Sequence, residues 1–265
     1  MADYLLGDDG GELRRLGFQH EAWTRTTSAL WDRAGFSLGQ RILDLGSGPG
    51  FASIPLSRRV RENGEVVAVD GSARALEVLN ARADENITTV HTRIEEYDAS
   101  PNTFDGVFAR WVCCFLPDPD AAIRRVAGWL KPGGTFALMD YFQYDALALA
   151  PPVSIMPTIT AAVQRSWAAA GGDLTVGGRL PALCEAAGLE VRDIRPIVHC
   201  ARPGTALWNW PKTFFFEGFL DRLVEGEFLT AAEADEFRAA YLKAEETPGA
   251  YLLTPPVITI VARKP

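Results

Sequence analysis

The sequence predicts an α/β fold in which helices wind both faces of a mainly parallel sheet, and three observations predict it. Between residues 40 and 140, short apolar runs alternate with helix-like stretches. One of them, Glu65-Val66-Val67-Ala68-Val69-Asp70, is a β-branched run of the kind buried on both faces of a parallel sheet. Glycine turns punctuate the alternation at Gly46, Gly64 and Gly133.

Taken in order, residues 12–36 carry Leu13, Leu16, Phe18, Trp23, Leu30, Trp31 and Phe36 among charges. That pattern predicts one or two amphipathic helices, closed near Gly35, forming an N-terminal helical cover over residues 1–37. Residues 41–45 are a strand that runs into Gly46-Ser47-Gly48-Pro49-Gly50, followed by a helix through Leu56 and Val60. Asn63-Gly64 turns the chain into a second strand, 65–70, and a helix from Ser72 to Arg82. Strands are expected at 87–92 and 103–109, then a helix at 119–130 with Ile123, Val126, Trp129 and Leu130 on one face. Lys131-Pro132-Gly133-Gly134 stops that helix before a fifth strand, 135–140, so the α/β core spans 38–142. A helical insertion follows at 143–180, centred on 159–170. The core resumes at 181–201 with a helix, 180–187, and a strand, 189–198. Residues 202–252 form an aromatic lid insertion holding Trp208, Trp210, Phe214, Phe215, Phe216, Phe219 and Tyr241, and 253–265 add the final strand, 257–261.

The 265 residues include 26 Lys and Arg against 34 Asp and Glu, a formal charge of −8. With 48% apolar and 23% charged residues the composition excludes a disordered or fibrous chain. At this length one core with additions is expected rather than two full domains. The acidic balance argues against nucleic acid or anionic membrane as a partner. No apolar run approaches the roughly 18 residues of a membrane span. The N-terminus, with Asp3, Asp8 and Asp9, lacks the pattern of a signal peptide, so a cytoplasmic protein is expected. Cys113, Cys114, Cys184 and Cys200 have no metal-ligand spacing, and no metal site is expected.

Asp44-Leu45-Gly46-Ser47-Gly48-Pro49-Gly50 is the informative stretch. Alternate glycines after a strand let a ligand approach the backbone with no Cβ in the way. A dinucleotide fold uses G-x-G-x-x-G, but Phe51 stands at the third glycine position here and a glycine arrives one residue early. The stretch instead resembles motif I of the class I S-adenosylmethionine (SAM)-dependent methyltransferases. Asp70 at the end of the second strand, Phe104-Asp105-Gly106-Val107-Phe108-Ala109-Arg110, Leu116-Pro117-Asp118-Pro119 and Leu130-Lys131-Pro132-Gly133-Gly134-Thr135 resemble that family's later motifs in order. The resemblance covers residues 38–140 well and the last two strands more loosely. It is nearest to small-molecule methyltransferases of the ubiquinone/menaquinone-biosynthesis type.

The resemblance implies a Rossmann-like, seven-stranded sheet with the last strand antiparallel, and SAM as cofactor. Gly46, Ser47 and Gly48 would pass under its methionine part, Asp44 would sit near its ammonium, and Asp70 would hold the ribose. Gly71 and Ser72 would flank the adenosine. The family's usual acidic position after the third strand is occupied by Arg93, which leaves Ile94 and Glu95 for the adenine edge. Arg110 would lie close to the cofactor or, in the alternative reading, pair with a carboxylate at the surface.

Methyl transfer needs mainly an aligned nucleophile and a dry site, so no conspicuous catalytic group is required. Candidates for a base are His20 on the cover and His199 at the end of the sixth strand, both favoured over His91 inside the third, because ligands bind beyond the carboxyl ends of such strands. Tyr141, beside Asp140 at the end of the fifth strand, is a further catalytic or acceptor contact. Cys114-Phe115 stands where the family often has His-His, which makes the pocket more apolar. Trp111, Tyr141, Trp167, Trp208 and Phe215 are the expected acceptor contacts. The lid aromatics could instead form the insertion's own core or a homodimer contact. The leading reading is methyl transfer to O, N or C of a small aromatic or amphiphilic molecule. Other SAM chemistry such as cyclisation or elimination, and a catalytically silent SAM-binding subunit, are the alternatives; a nicotinamide enzyme is demoted by the shifted glycine.

Overall fold

The computed structural model describes residues 10–61 and 63–265; Asp3, Asp8 and Asp9, and the first part of the expected cover, lie outside them. Among the described residues the main sheet has strands β1 (Arg41–Leu45), β2 (Glu65–Asp70), β3 (Ile87–His91), β4 (Phe104–Arg110), β5 (Leu130–Tyr141), β6 (Glu190–Ile197) and β7 (Val257–Arg263). Their order across the sheet is β3-β2-β1-β4-β5-β7-β6. β7 runs antiparallel to both neighbours and the other pairings are parallel. The strand order reverses between β1 and β4, which is where open α/β sheets bind ligands, beyond the carboxyl ends.

The nine α-helices described are α1 (Gly10–Ala34), α2 (Ser53–Val60), α3 (Ala73–Asn80), α4 (Pro119–Trp129), α5 (Met156–Ala169), α6 (Leu180–Ala186), α7 (Ala206–Phe214), α8 (Leu220–Glu225) and α9 (Ala231–Glu246). Their starts follow from local chemistry. The Ser72 hydroxyl accepts from the Ala75 amide, Asp118 caps α4 ahead of Pro119, and Thr230 with Glu233 forms a capping box. The cover is one continuous helix rather than two, stopped where Gly35 takes φ 73°. Its C-terminal half lies on the sheet: Trp31 meets Phe108 edge-on at 5.4 Å, and the Thr135 hydroxyl donates to the Ala34 carbonyl at 2.8 Å. β5 begins earlier than the glycine pair suggests, because Leu130 already pairs with Phe104 and a register shift absorbs the turn before Thr135 pairs with Gly106.

The two insertions fold together. Residues Ala148–Ala150, Tyr251–Leu253 and Cys200–Ala201 pair into a three-stranded antiparallel sheet, and α5 packs on α8 and α9. Strands of two and three residues carry no periodicity, so the sequence does not announce them. Trp208 packs on Tyr241 at 4.9 Å, with the Tyr241 hydroxyl donating to the Trp208 carbonyl at 2.8 Å, and Phe215 packs on Phe237 at 4.9 Å. Both rings are at most 1% exposed. This corrects the expectation that Trp208 and Phe215 line the acceptor site: α9 offers them apolar partners, and they are the core of the cap. Buried there, they have no face to offer a homodimer contact.

Candidate functional site

The turn after β1 is fixed by its backbone. Gly46, Gly48 and Gly50 have φ of 71°, 52° and 81°, values costly for residues with a Cβ. Their surroundings differ. A Cβ on Gly46 would stand 2.6 Å from Val112 Cγ2, whereas on Gly48 it would meet nothing within 4 Å. The Gly46 and Ser47 amides donate to the Val69 carbonyl at 2.9 and 3.0 Å, hooking the turn to the end of β2. There the Asp70 carboxylate accepts from the Gly48 amide at 2.7 Å and from the Ser72 amide at 2.8 Å. One bond to each oxygen fixes the carboxylate and leaves acceptor capacity on both. Burial raises the Asp70 pKa, and the two amide bonds oppose it. Gly71 is exposed at the rim, its carbonyl 3.1 Å from His91 Nε2.

Ile94 reaches the turn, its Cδ1 3.5 Å from the position a Gly46 Cβ would take. Glu95 does not follow it inward. Its carboxylate is at the surface, 3.2 Å from the Arg93 guanidinium, because the cation at the family's acidic position offers a nearer partner than the site does.

Asp44 is 2% exposed and accepts from the Ser53 hydroxyl at 2.6 Å. Burial pushes its pKa up to about 6, against the pull of that hydrogen bond and of Arg110. Arg110 ends β4 with its side chain turned inward, so the surface pairing is excluded. Its guanidinium donates to Thr27 Oγ1 of α1 at 3.1 Å and lies 5.4 Å over the Trp111 ring. Burial lowers its pKa to about 10, with Asp44 opposing, and it stays a cation at neutral pH.

Trp111 takes φ 52°, rare for a bulky residue, with its amide bonded to the Met139 carbonyl at 2.8 Å. Its ring lies against Tyr141 at 5.9 Å and Trp210 of α7 at 5.7 Å, and Trp23 of α1 meets it edge-on at 5.4 Å. Trp23 and Trp210 belong to this cluster, although no motif ranks them above their aromatic neighbours in the chain. Trp167 stands beyond it, against Phe115 at 5.2 Å and Phe219 at 5.8 Å. Burial pushes the Tyr141 phenol well above its ordinary value. Asp140 accepts from the Cys114 and Tyr141 amides at 3.1 and 2.8 Å and so caps the turn that follows β5. Cys113 and Cys114 are buried with raised pKa values, which makes them hydrophobes rather than nucleophiles.

His20 stacks on Phe51 at 5.5 Å, just past the glycine turn, and its Nδ1 has no hydrogen-bond partner among the described residues. Burial and the nearby Arg110 lower its pKa from 6.5 to about 4. His199 is edge-on to Trp23 at 4.8 Å with Nε2 3.4 Å from Thr26 Oγ1, and burial lowers its pKa. Because folded His20 binds fewer protons than the unfolded chain between pH 6.5 and about 4, its contribution to stability is complete above that window and lost as pH falls through it. Urea unfolding across that range should therefore show wild type losing stability relative to His20→Gln. Parallel profiles would contradict the burial.

Residues 42–134 match the family described as methyltransferase domain. A ubiquinone/menaquinone biosynthesis C-methyltransferase of Haemophilus ducreyi is 34% identical over 127 residues, covering 46% of this chain and 48% of that protein. Residues 42–134 of this chain are thus similar to a methyltransferase domain. The chain spans about half the length of the curated relatives it matches. Two solved structures share the fold of the methyltransferase domain and its additions. The (4+2)-cyclase SpnF is 20% identical with a TM-score of 0.59, covering 91% of this chain and 80% of that one. The phosphoethanolamine N-methyltransferase 2 of Haemonchus contortus, solved with phosphomonomethylethanolamine and S-adenosylhomocysteine, is 20% identical with a TM-score of 0.56, covering 92% and 53%.

SAM is the cofactor of the methyltransferase domain, and the residues present fit it. Gly48 leaves open the space a Cβ would fill, the Asp70 carboxylate is held with acceptor capacity to spare, and a guanidinium held by Thr27 and the Trp111 ring stands at the end of β4. Among the described residues no group of three or more His, Cys, Asp or Glu could hold a metal ion, and no helix is long and apolar enough to cross a membrane. Gly48→Ala tests the cradle. The positive φ costs about 1–2 kcal/mol of stability, and a methyl group in the ligand's space lowers cofactor affinity about tenfold or more. Calorimetry with S-adenosylhomocysteine and a thermal melt measure the two losses separately, and intact affinity would show that the ligand passes elsewhere.

Proposed function

We propose that the protein transfers a methyl group from SAM to an O, N or C atom of a small aromatic or amphiphilic acceptor by direct displacement. The observation that carries this reading is the Asp70 carboxylate, oriented by the Gly48 and Ser72 amides beside an open glycine turn. In this reading Asp70 accepts from both ribose hydroxyls, and Gly71 and Ser72 flank the adenosine. Ile94 packs on the adenine, while Gly46, Ser47 and Gly48 underlie the methionine part. Arg110 receives its carboxylate and Asp44 lies near its ammonium.

The cofactor supplies an electrophilic methyl on a sulfonium. The chain's own work is to align the nucleophile and exclude water. Trp111 and Tyr141 form an aromatic wall suited to a flat acceptor, backed by Trp210 and the fully buried Trp23, with Trp167 at its far side. The Tyr141 phenol, kept protonated by burial, donates to an acceptor oxygen. His20, neutral at neutral pH and with an unpartnered Nδ1, takes the acceptor's proton as methyl transfer makes that proton strongly acidic, because a base of pKa about 4 is too weak to deprotonate the free acceptor. His199 braces Trp23. The net charge of −8 favours a small molecule over nucleic acid or an anionic membrane, and a cytoplasmic setting fits the sequence.

The test is incubation with SAM and a panel of phenols, quinones, amines and small acids, with S-adenosylhomocysteine quantified by mass spectrometry. Its formation with one class is expected and identifies the acceptor chemistry. Tight SAM binding without it across acceptor classes would favour cyclisation, elimination or a silent SAM-binding subunit instead.

A further inference from the structure

We infer that Thr27 is a positioning residue for the cofactor, its hydroxyl holding the Arg110 guanidinium where it meets the methionyl carboxylate, so that α1 is a working part of the cofactor site. The inference rests on the reading of Arg110 given above. It extends the site to a helix outside the matched residues 42–134.

Arg110 has a long, flexible stem, and an arginine fork binds a carboxylate well only when its plane is fixed in advance. Two contacts fix it here: the Trp111 ring beneath, at 5.4 Å, and Thr27 Oγ1, which accepts from one terminal nitrogen at 3.1 Å. Thr27 is itself fixed. It is 2% exposed, in the interior of a helix whose following turns are anchored to the sheet by the Thr135 to Ala34 hydrogen bond and the Arg33 to Asp193 ion pair. As a β-branched residue in a helix it has few χ1 choices. A single hydroxyl therefore takes one of the fork's five donors and leaves the others for a carboxylate. Asp44 makes no ion pair with Arg110 among the described residues; its Oδ2 accepts from Ser53 at 2.6 Å, and it acts on the guanidinium only through its charge. The rest of α1 supports the same geometry: His20 stacks on Phe51, and a Cβ on Gly17 would lie 3.7 Å from the Phe51 ring, so the helix rests directly on the glycine turn.

The experiment compares calorimetric affinity for S-adenosylhomocysteine with that for its decarboxylated analogue, in wild type, Thr27→Val, Thr27→Ser and Arg110→Lys. Wild type is expected to prefer the carboxylate-bearing ligand by on the order of 10- to 100-fold, the range of a charge-assisted contact. Thr27→Val, which keeps shape and loses the acceptor, should lose roughly 5- to 10-fold for S-adenosylhomocysteine, as removal of one hydrogen bond does, and stay within about twofold for the analogue. Thr27→Ser should restore the preference. If Thr27→Val leaves both affinities unchanged, or weakens both equally, the positioning role is overturned while the Arg110 reading stands. If wild type and Arg110→Lys alike fail to distinguish the two ligands, the Arg110 reading falls, and the role of Thr27 falls with it.

Discussion

Asp70→Ala is expected to weaken S-adenosylhomocysteine binding by about 100- to 1000-fold while leaving the melting temperature nearly unchanged. Two hydrogen bonds from ribose hydroxyls to an ionised carboxylate contribute about 1.5–3 kcal/mol each, and a combined loss of about 3–4 kcal/mol corresponds to that factor. The fold should tolerate the change for two reasons. The Gly48 and Ser72 amides that Asp70 accepts from lie at a half-exposed turn where water can replace it. Burial also works against the carboxylate, as its raised pKa shows. Calorimetry beside a thermal melt separates the effects. An unchanged dissociation constant would overturn the ribose assignment, and a collapse in stability would make Asp70 a structural residue first.

Trp208→Ala is expected to have the opposite profile, with about 3–5 kcal/mol of unfolding free energy lost and cofactor affinity intact wherever the protein remains folded. Trp208 is fully buried, and its ring fills the space between α7 and Tyr241 of α9. Truncation leaves a cavity there that the Tyr241 hydroxyl, bonded to the Trp208 carbonyl, cannot collapse to fill. Urea denaturation measures the first quantity and calorimetry the second. Retained stability with lost acceptor turnover would return Trp208 to the acceptor wall.

The core was legible because each of its steps has a local cause. Short apolar runs mark β1, β2 and β4, the valine-rich β2 most plainly, and the spacing of Asp44, Gly46, Gly48 and Asp70 follows from one strand–turn–helix unit and its neighbour. The cap was not. Trp208 and Trp210 are two residues apart, yet one packs on α9 and the other on Trp23 and Trp111, a division set by helix α7 and its partners rather than by composition. Glu95 eluded the sequence reading in another way. Arg93, which occupied the position expected to be acidic, also drew the neighbouring carboxylate to the surface. Thr27 carries no motif, and its contact with Arg110 joins residues 83 positions apart.

The small sheet of the cap takes one strand from before β6, one from directly after it and one from before β7. Its edges cannot meet until the main sheet has brought those three chain positions together, so the cap should assemble last, on a finished platform. Once assembled, it is held on both sides of residues 202–250. A protease nick within that stretch would leave two fragments still clasped by their strands, and the aromatic wall would outlast the continuity of the chain that built it.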